Sequence, residues 1–325
     1  MSRLKYAVAL VFTLVAALFL YIAAEKYAMR EPSDNNYLWP ERSKQATIIF
    51  GGDIMFDRSV RKAVDVKGGN FIFSCIDETL KSSDLIVANL EGPITNHASV
   101  SATSTPGGEF NYTFTFPPAT AGLLYKHKVR IVNLGNNHIL NFGTAGVRST
   151  ISELENAGVW YFGDPIHHSV YLEHAFSPII FAFINYNEFA PTEHTNILEY
   201  VGMSSTTVES IQKTRARGYI PIVYTHWGEE YATTSSAYSR ELAHSFIDAG
   251  AEIVIGSHPH VVQEHEIYNG KHIYYSLGNF IFDQYFSDDV RRGLLLRVVF
   301  GTEGVKSIKE IPVYLETDRR TCPVE

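Results

Sequence analysis

Five segments of the chain place residues able to bind a metal ion directly after a short apolar run. These residues are Asp53, Glu91, Asn137, His226, His258 and His260. The runs are rich in β-branched and apolar residues, which is typical of buried strands. Carboxylate, carboxamide and imidazole groups together suit Mn²⁺, Fe²⁺ or Zn²⁺ better than the all-oxygen shell of Ca²⁺. The pattern therefore predicts a metal centre.

Each of these residues also has a structural interpretation. Asp53 could cap a turn, Glu91 could be a turn residue, and His226 could be a packed core histidine. The pair His258 and His260 is more specific, because two imidazoles flanking a proline have no obvious packing purpose and histidine is the commonest metal ligand. The coincidence at five predicted strand ends favours the metal interpretation.

The elements that position these residues alternate along the chain. Strand-like runs such as 220–224 and 253–255 are separated by helical stretches such as 146–157 and 238–249. This alternation predicts an α/β fold. In such folds ligands bind at the carboxyl ends of the strands, where residues from several strands meet. Later strand-like runs suggest a second, partly antiparallel sheet, and they cover residues 271–275, 293–300 and 307–314.

Composition excludes several classes of protein. The chain has 325 residues, of which 45% are hydrophobic and 19% charged, as in a folded globular protein. The net charge of −8 and the lack of a Lys/Arg cluster argue against a nucleic-acid partner. Two cysteines so far apart do not indicate a disulfide framework. They could bridge only if the fold brings the C-terminal tail back to Cys75. We expect instead that Cys75 is buried and that Cys322 is free in a loose tail.

The first residues form a separate unit. Residues 6–24 are uncharged and long enough to span a bilayer, and Arg3 and Lys5 precede them. The positive-inside rule then places the N-terminus in the cytoplasm and the rest of the chain outside. A cleaved signal peptide is the alternative. The predicted organisation is a membrane anchor (1–31), a linker (32–45), one domain (46–316) and a tail (317–325).

Six ordered motifs lie between about residues 46 and 315. They are Gly-Asp-Ile-Met-Phe-Asp-Arg (52–58), Asn-Leu-Glu-Gly-Pro (89–93), Asn-Asn-His (136–138), His-Trp-Gly-Glu-Glu-Tyr (226–231), Gly-Ser-His-Pro-His-Val (256–261) and Ser-Leu-Gly-Asn-Phe-Ile-Phe-Asp (276–283). Together they resemble the CapA family, which is associated with bacterial poly-γ-glutamate capsule synthesis. That family is similar to calcineurin-like metallophosphoesterases, so the resemblance implies a two-sheet sandwich flanked by helices.

The resemblance also implies roles for single residues. The first of two divalent metal ions would be held by Asp53, Glu91 and His260, and the second by Glu91, Asn137, His226 and His258. His138 would act as the catalytic proton donor, and Arg58 would bind an anionic group of the substrate.

Two positions depart from the expected pattern. Met55 stands where a further imidazole is expected, so the first metal site should be weaker than the second. Asn141 stands where an aspartate would orient His138.

Two functions follow from this sequence. The first is two-metal hydrolysis of a phosphoester, or a related bond, in an anionic envelope substrate. The alternative is a non-hydrolytic accessory that binds an anionic polymer during export or assembly. Fold alone does not decide between them.

Overall fold

The computed structural model describes residues 44–166, 171–176, 178–189 and 204–324. The predicted membrane anchor and nearly all of the predicted linker lie outside these residues. Across the described ranges, no helix is both long enough and apolar enough to cross a membrane.

Strands and helices alternate through most of the described chain. The strands are β1 (Gln45–Ile54), β2 (Leu85–Leu90), β3 (Val129–Asn133), β4 (Trp160–Phe162), β5 (Tyr171–Phe176), β6 (Ile179–Asn187), β7 (Ile220–His226), β8 (Ile253–Ser257), β9 (His265–Tyr268), β10 (Lys271–Tyr274), β11 (Asn279–Ile281), β12 (Arg292–Gly301), β13 (Gly304–Leu315) and β14 (Thr321–Pro323). The α-helices are α1 (Arg58–Lys67), α2 (Gly69–Phe73), α3 (Asp77–Lys81), α4 (Ala119–Lys126), α5 (Gly143–Ala157), α6 (Ser204–Ala216), α7 (Ala237–Asp248) and α8 (Asp288–Arg291).

These strands form two mixed sheets. The first has the order β14-β13-β12-β1-β2-β3-β4, with β11 also paired to β1. The second has the order β5-β6-β7-β8-β10-β9. In the first sheet β1 to β4 are parallel, whereas the pairs from β1 through β12 and β13 to β14 are antiparallel. In the second sheet the central strands are parallel, and β5 and β9 pair antiparallel at the edges. The expectation that the late strands build the second sheet is only partly right, because β12 and β13 pair with the first sheet.

Alternating side chains on the strands divide the core into three layers. In β1, Ile48 and Phe50 face the second sheet, whereas Ile49 faces the helices α1 to α5. A third apolar cluster packs the second sheet against α6 and α7, through residues such as Ile211 and Phe246. The result is an α/β fold of two sheets flanked by helices.

One short crossover ties the two sheets together beneath the strand ends. Residues 275–278 lead from β10 in the second sheet to β11 in the first. A Cβ on Gly52 would lie 1.8 Å from the carbonyl oxygen of Gly278, and a Cβ on Gly256 would lie 1.8 Å from that of Tyr275. Glycine at both positions therefore lets the crossover contact β1 and β8. The contact on β1 is next to Asp53, and the contact on β8 is two residues before His258.

The C-terminal residues are not a loose tail with a free cysteine, so that expectation is wrong. Strand β14 pairs with β13 at the edge of the first sheet. This pairing brings Cys322 to Cys75, which lies between α2 and α3, and the two form a disulfide across 247 residues of sequence. The sequence could not predict the bond, because it depends on where the last strand joins the sheet.

We expect this disulfide to stabilise the fold. Removing a cross-link over so long a loop should lower the free energy of unfolding by about 2–5 kcal/mol. Chemical denaturation of a Cys75→Ser, Cys322→Ser double variant measures the loss. Dithiothreitol should lower the free energy of unfolding of the wild-type protein by a similar amount. It should leave the free energy of unfolding of the double variant unchanged. A wild-type protein that is insensitive to dithiothreitol would contradict this prediction.

Candidate metal centre

The carboxyl ends of five strands bring the predicted metal ligands to one place. Asp53 lies at the end of β1, Glu91 follows β2, Asn137 lies in the loop after β3, His226 ends β7, and His258 and His260 follow β8. All are buried except Asn137. The arrangement follows from the parallel central strands of both sheets, whose carboxyl ends point to the same side.

Asp53, Glu91 and His260 form one half of the centre. His260 Nδ1 lies 3.2 Å from Asp53 Oδ2, and His260 Nε2 lies 3.4 Å from Glu91 Oε1. One ligand atom from each residue lies within 4.8 Å of the others. Nitrogen and oxygen ligands bind divalent metals such as Zn²⁺ at about 2.0–2.2 Å, so one ion spans ligand atoms up to about 4.4 Å apart. The 3.4 Å between His260 Nε2 and Glu91 Oε1 lies within this reach.

Asn137, His226 and His258 form the other half. His226 Nε2 lies 3.0 Å from Asn137 Oδ1 and 3.2 Å from His258 Nδ1. Ligand atoms that share one ion at about 2.1 Å lie roughly 3.0–3.4 Å apart. The two separations from His226 Nε2 therefore match those of ligands around a common ion.

The charge of the centre also fits divalent metals. Glu91 and Asp53 are both fully buried, and within the described residues Glu91 Oε1 has no hydrogen-bond partner. Burial, followed by the negative charge of Asp53, raises the pKa of Glu91 well above its ordinary value. Burial opposes ionisation of Asp53 as well, but the hydrogen bond and charge of His260 hold the pKa of Asp53 below its usual range. Buried carboxylates are normally paired with a cation, because an unpaired buried charge is costly.

The histidines are suited to binding metals at neutral pH. Burial, then the charge of His260, lowers the pKa of His258 to about 3. Burial likewise lowers the pKa of His226 well below its ordinary value. Metal ions bind neutral imidazole, so these rings keep a lone pair available at pH 7.

Asn89 connects the two halves, and sequence analysis missed it. Its Nδ2 donates to Asp53 Oδ1 at 2.8 Å and lies 3.3 Å from His226 Nδ1. Asn133 and Asn136 each donate to Asn89 Oδ1 at 3.1 Å, which fixes the carboxamide. The available signal was its spacing: residues two apart on a strand face the same side, and Asn89 precedes Glu91 by two.

Asn279 holds His260 in place, and it too was missed as a site residue. Its Oδ1 lies 2.9 Å from His260 Nδ1, and its Nδ2 donates to the carbonyl oxygen of His260 at 3.3 Å. His260 has φ 58° and His258 has φ 97°, which non-glycine residues rarely adopt. Ser257 Oγ, at 3.0 Å from His226 Nδ1, orients that ring in a similar way. Such partners fix the orientation of metal ligands.

Met55 does not take the place of the expected imidazole. It is fully buried in the apolar cluster between the first sheet and the helices, and its sulfur accepts the N–H of Asp57 at 2.9 Å. Met55 is therefore a core residue, and its position leaves the Asp53, Glu91 and His260 half with fewer strong ligands.

His138 lies beside the centre, held by Asn141. Asn141 Oδ1 accepts the N–H of Phe114 at 2.9 Å and lies 3.2 Å from His138 Nδ1. Because that oxygen can only accept, the proton resides on Nδ1, and Nε2 faces Glu91 Oε1 at 3.9 Å. Asn141 therefore orients His138 as an aspartate would, but without adding charge.

Arg58 lies close to the centre but is already paired. Its guanidinium binds Asp283 and lies 3.3 Å from Asn111 Oδ1. Its Cζ lies 5.0 Å from the Phe114 centroid and 5.6 Å from the Phe282 centroid. These two rings in turn contact His138 and His260. A bound anion would have to share Arg58 with Asp283.

Loss of the Asn279 side chain should weaken one metal site selectively. We expect Asn279→Leu to reduce the affinity of the site that contains His260 by about 10–100-fold, because an outer-shell partner of a ligand is lost. Metal titration into stripped protein measures both affinities. Asn70→Leu, which removes a 3.1 Å contact to His127 outside the centre, is the matched control. Equal weakening of both sites would show that Asn279 acts only on general stability.

A family model matches most of the chain. The family described as bacterial capsule synthesis protein PGA_cap matches residues 47–284, a range that contains every ligand candidate.

Curated relatives agree with this match. The PGA biosynthesis protein CapA of Bacillus subtilis (strain 168) is 28% identical over 72% of this chain and 63% of its own length. The capsule biosynthesis protein CapA of Bacillus anthracis is 28% identical over 74% of this chain and 61% of its own length. The chain thus spans less than two thirds of the length of these relatives.

A solved structure shares the fold. A Staphylococcus aureus protein assigned as a 5′-nucleotidase, in complex with alpha-ketoglutarate, aligns with a TM-score of 0.51 over 82% of this chain and 54% of its own, at 12% identity. At that identity the likeness concerns the fold alone.

Proposed function

Since the chain belongs to the bacterial capsule synthesis protein family, we propose that it acts in capsule or envelope polymer metabolism as a metal-dependent phosphoesterase. The observation that carries this proposal is Glu91, a fully buried carboxylate beside Asp53 whose Oε1 has no hydrogen-bond partner within the described residues. A buried carboxylate pair surrounded by imidazole rings is suited to divalent cations rather than to a structural role.

Two ions are accommodated by the two halves of the centre. Asp53, Glu91 and His260 would hold the first, and Asn137, His226 and His258 would hold the second, with Glu91 shared. The candidate ions are Mn²⁺, Fe²⁺ and Zn²⁺. When bound, they supply positive charge to the attacking and leaving oxygens of an in-line displacement.

The residues of the chain contribute positioning and proton transfer. Asn279 and Ser257 fix the ligand rings, and burial keeps bulk water away from the reacting atoms. His138 is the group placed to protonate the leaving oxygen. Burial and the charge of His260 lower the pKa of His138 to about 4. The negative charge of a bound phosphoester acts in the opposite direction and favours the protonated ring.

A phosphoester screen tests this proposal. Full-length protein loaded with Mn²⁺ should hydrolyse bis(p-nitrophenyl) phosphate or p-nitrophenyl phosphate, and chelation should stop the reaction. The alternative is a non-hydrolytic accessory that would bind the anionic polymer at the same centre. The pairing of Arg58 with Asp283 weakens anion binding in either role and does not separate the two. Metal-dependent binding of poly-γ-glutamate without turnover of either ester would support the accessory role.

We also propose that the domain lies on the extracytoplasmic side, anchored by residues 6–24. The disulfide between Cys75 and Cys322 supports this, because structural disulfides persist in oxidising compartments and are rare in the cytosol. Mass spectrometry of protein from native membranes tests the anchor. An N-terminus at or beyond Glu25 would overturn it.

A further inference from the structure

Exposed aromatic side chains lie beside the metal centre. Tyr231 is 38% exposed and Phe286 is 67% exposed. The Tyr231 ring lies 6.1 Å from the His260 ring and 5.1 Å from the Phe286 ring, measured between centroids. Tyr112, close to His138, is 44% exposed. Clustered apolar surface beside a buried polar centre marks a binding site.

Tyr231 is held in this position against a conformational cost. Its φ of 66° is unusual for a bulky residue. Its N–H donates to the carbonyl oxygen of Pro259 at 2.8 Å, and its hydroxyl accepts from Gln284 Nε2 at 3.2 Å. Gln284 Oε1 in turn accepts from Asn279 Nδ2 at 3.0 Å, so Tyr231 is coupled to the group that fixes His260. Strain of this kind persists mainly where a site requires it.

The shape and charge of this rim restrict what it can bind. The rings of Tyr231 and Phe286 stand at 88° to each other, so they form a corner rather than a parallel slot. A parallel slot suits a flat base, whereas a corner suits a thick, puckered ring with C–H groups pointing in two directions. Glu229 and Glu230 are exposed next to Tyr231. Their carboxylates accept hydroxyl hydrogens and repel a polyanionic chain.

We propose that Tyr231 and Phe286 form a sugar-ring subsite, so that the phosphoester held at the metal centre is an ester of a pyranose. This inference rests on the proposed function and names its substrate class. The ring faces pack against the C–H groups of the sugar, the exposed glutamates accept its hydroxyls, and the phosphoryl group reaches the metal ligands.

Binding of two matched probes tests the subsite without relying on turnover. The probes are the non-hydrolysable C-glucosyl phosphonate and methylphosphonate, titrated calorimetrically into metal-loaded, full-length protein. The glucosyl probe should bind about tenfold more tightly, as expected for one aromatic contact with its buried area. Tyr231→Ala should remove that advantage. Tyr231→Phe, which keeps the ring, should retain most of it. Trp160→Ala removes an exposed aromatic side chain from β4, the edge strand of the first sheet that pairs with β3. This variant should leave the advantage of the glucosyl probe unchanged.

Several results would overturn the subsite. They are equal affinity for the two probes, an advantage that survives Tyr231→Ala, and tighter binding of adenosine 5′-phosphonate than of the glucosyl probe. Each leaves metal-dependent binding of methylphosphonate intact and so concerns the subsite alone. Failure of the proposed function has a different signature, namely no metal-dependent binding of methylphosphonate and no ester hydrolysis, and the subsite proposal then fails with it.

Discussion

His226→Ala should lower kcat/KM for phosphoester hydrolysis by at least about a thousandfold. His226 is fully buried, and its Nε2 lies at the point where Asn137 Oδ1 and His258 Nδ1 converge. Loss of an outer-shell partner alone costs about 10–100-fold in metal affinity or activity, so loss of a ligand should cost more. Steady-state kinetics and metal analysis of the purified variant measure the effect together.

A matched histidine variant separates loss of the site from general damage. His244 on α7 is half-buried, and its Nε2 lies 2.9 Å from Glu266 outside the centre, so His244→Ala should keep wild-type activity and metal content. Thermal unfolding of both metal-free variants checks that the fold survives. If His226→Ala kept two ions and wild-type turnover, His226 would have to be a core histidine only.

Gly52→Ala should destabilise the fold by more than about 3 kcal/mol. A Cβ at this position would lie 1.8 Å from the carbonyl oxygen of Gly278, which is main chain and cannot move aside as a flexible side chain would. Gly278 also accepts the N–H of Asp53 at 3.1 Å, so the displacement would spread directly into the metal centre. Overpacking of side chains alone typically costs about 1–3 kcal/mol. Chemical denaturation measures the loss.

Gly122→Ala is the control for the same chemical change. Gly122 lies inside α4, and a Cβ there would meet no atom within 4 Å. Alanine should therefore stabilise the helix by about 0.5–1 kcal/mol. A Gly52→Ala protein as stable as the wild type would mean that β1 and the crossover are not in contact as described.

The sequence predicted the part of the site that depends on local pattern. Asp53, Glu91, His226 and His258 each follow or end an apolar run, and strand ends in an α/β fold lie on one side. What it did not predict depends on contacts between distant segments. Asn279 reaches His260 only because the crossover leads the chain from the second sheet to the first. Cys322 reaches Cys75 only because β14 joins the edge of the first sheet.

Met55 illustrates the same limit. Its position in the motif suggested a poor metal ligand, but a residue at a strand end can also face the core, and the apolar cluster around it decides the outcome. The expectation of unequal metal sites stays a prediction, and it rests on the smaller number of ligands around Asp53.

Stepwise return of metal to stripped, full-length protein tests the two-metal account most directly. Hydrolysis of a phosphoester such as bis(p-nitrophenyl) phosphate is followed as Mn²⁺ is added in known molar ratios. The account predicts little activity while the first equivalent fills the tighter site, then a rise that ends near two equivalents per chain. Full activity at one equivalent, or no hydrolysis at any ratio while metal is bound, would contradict it.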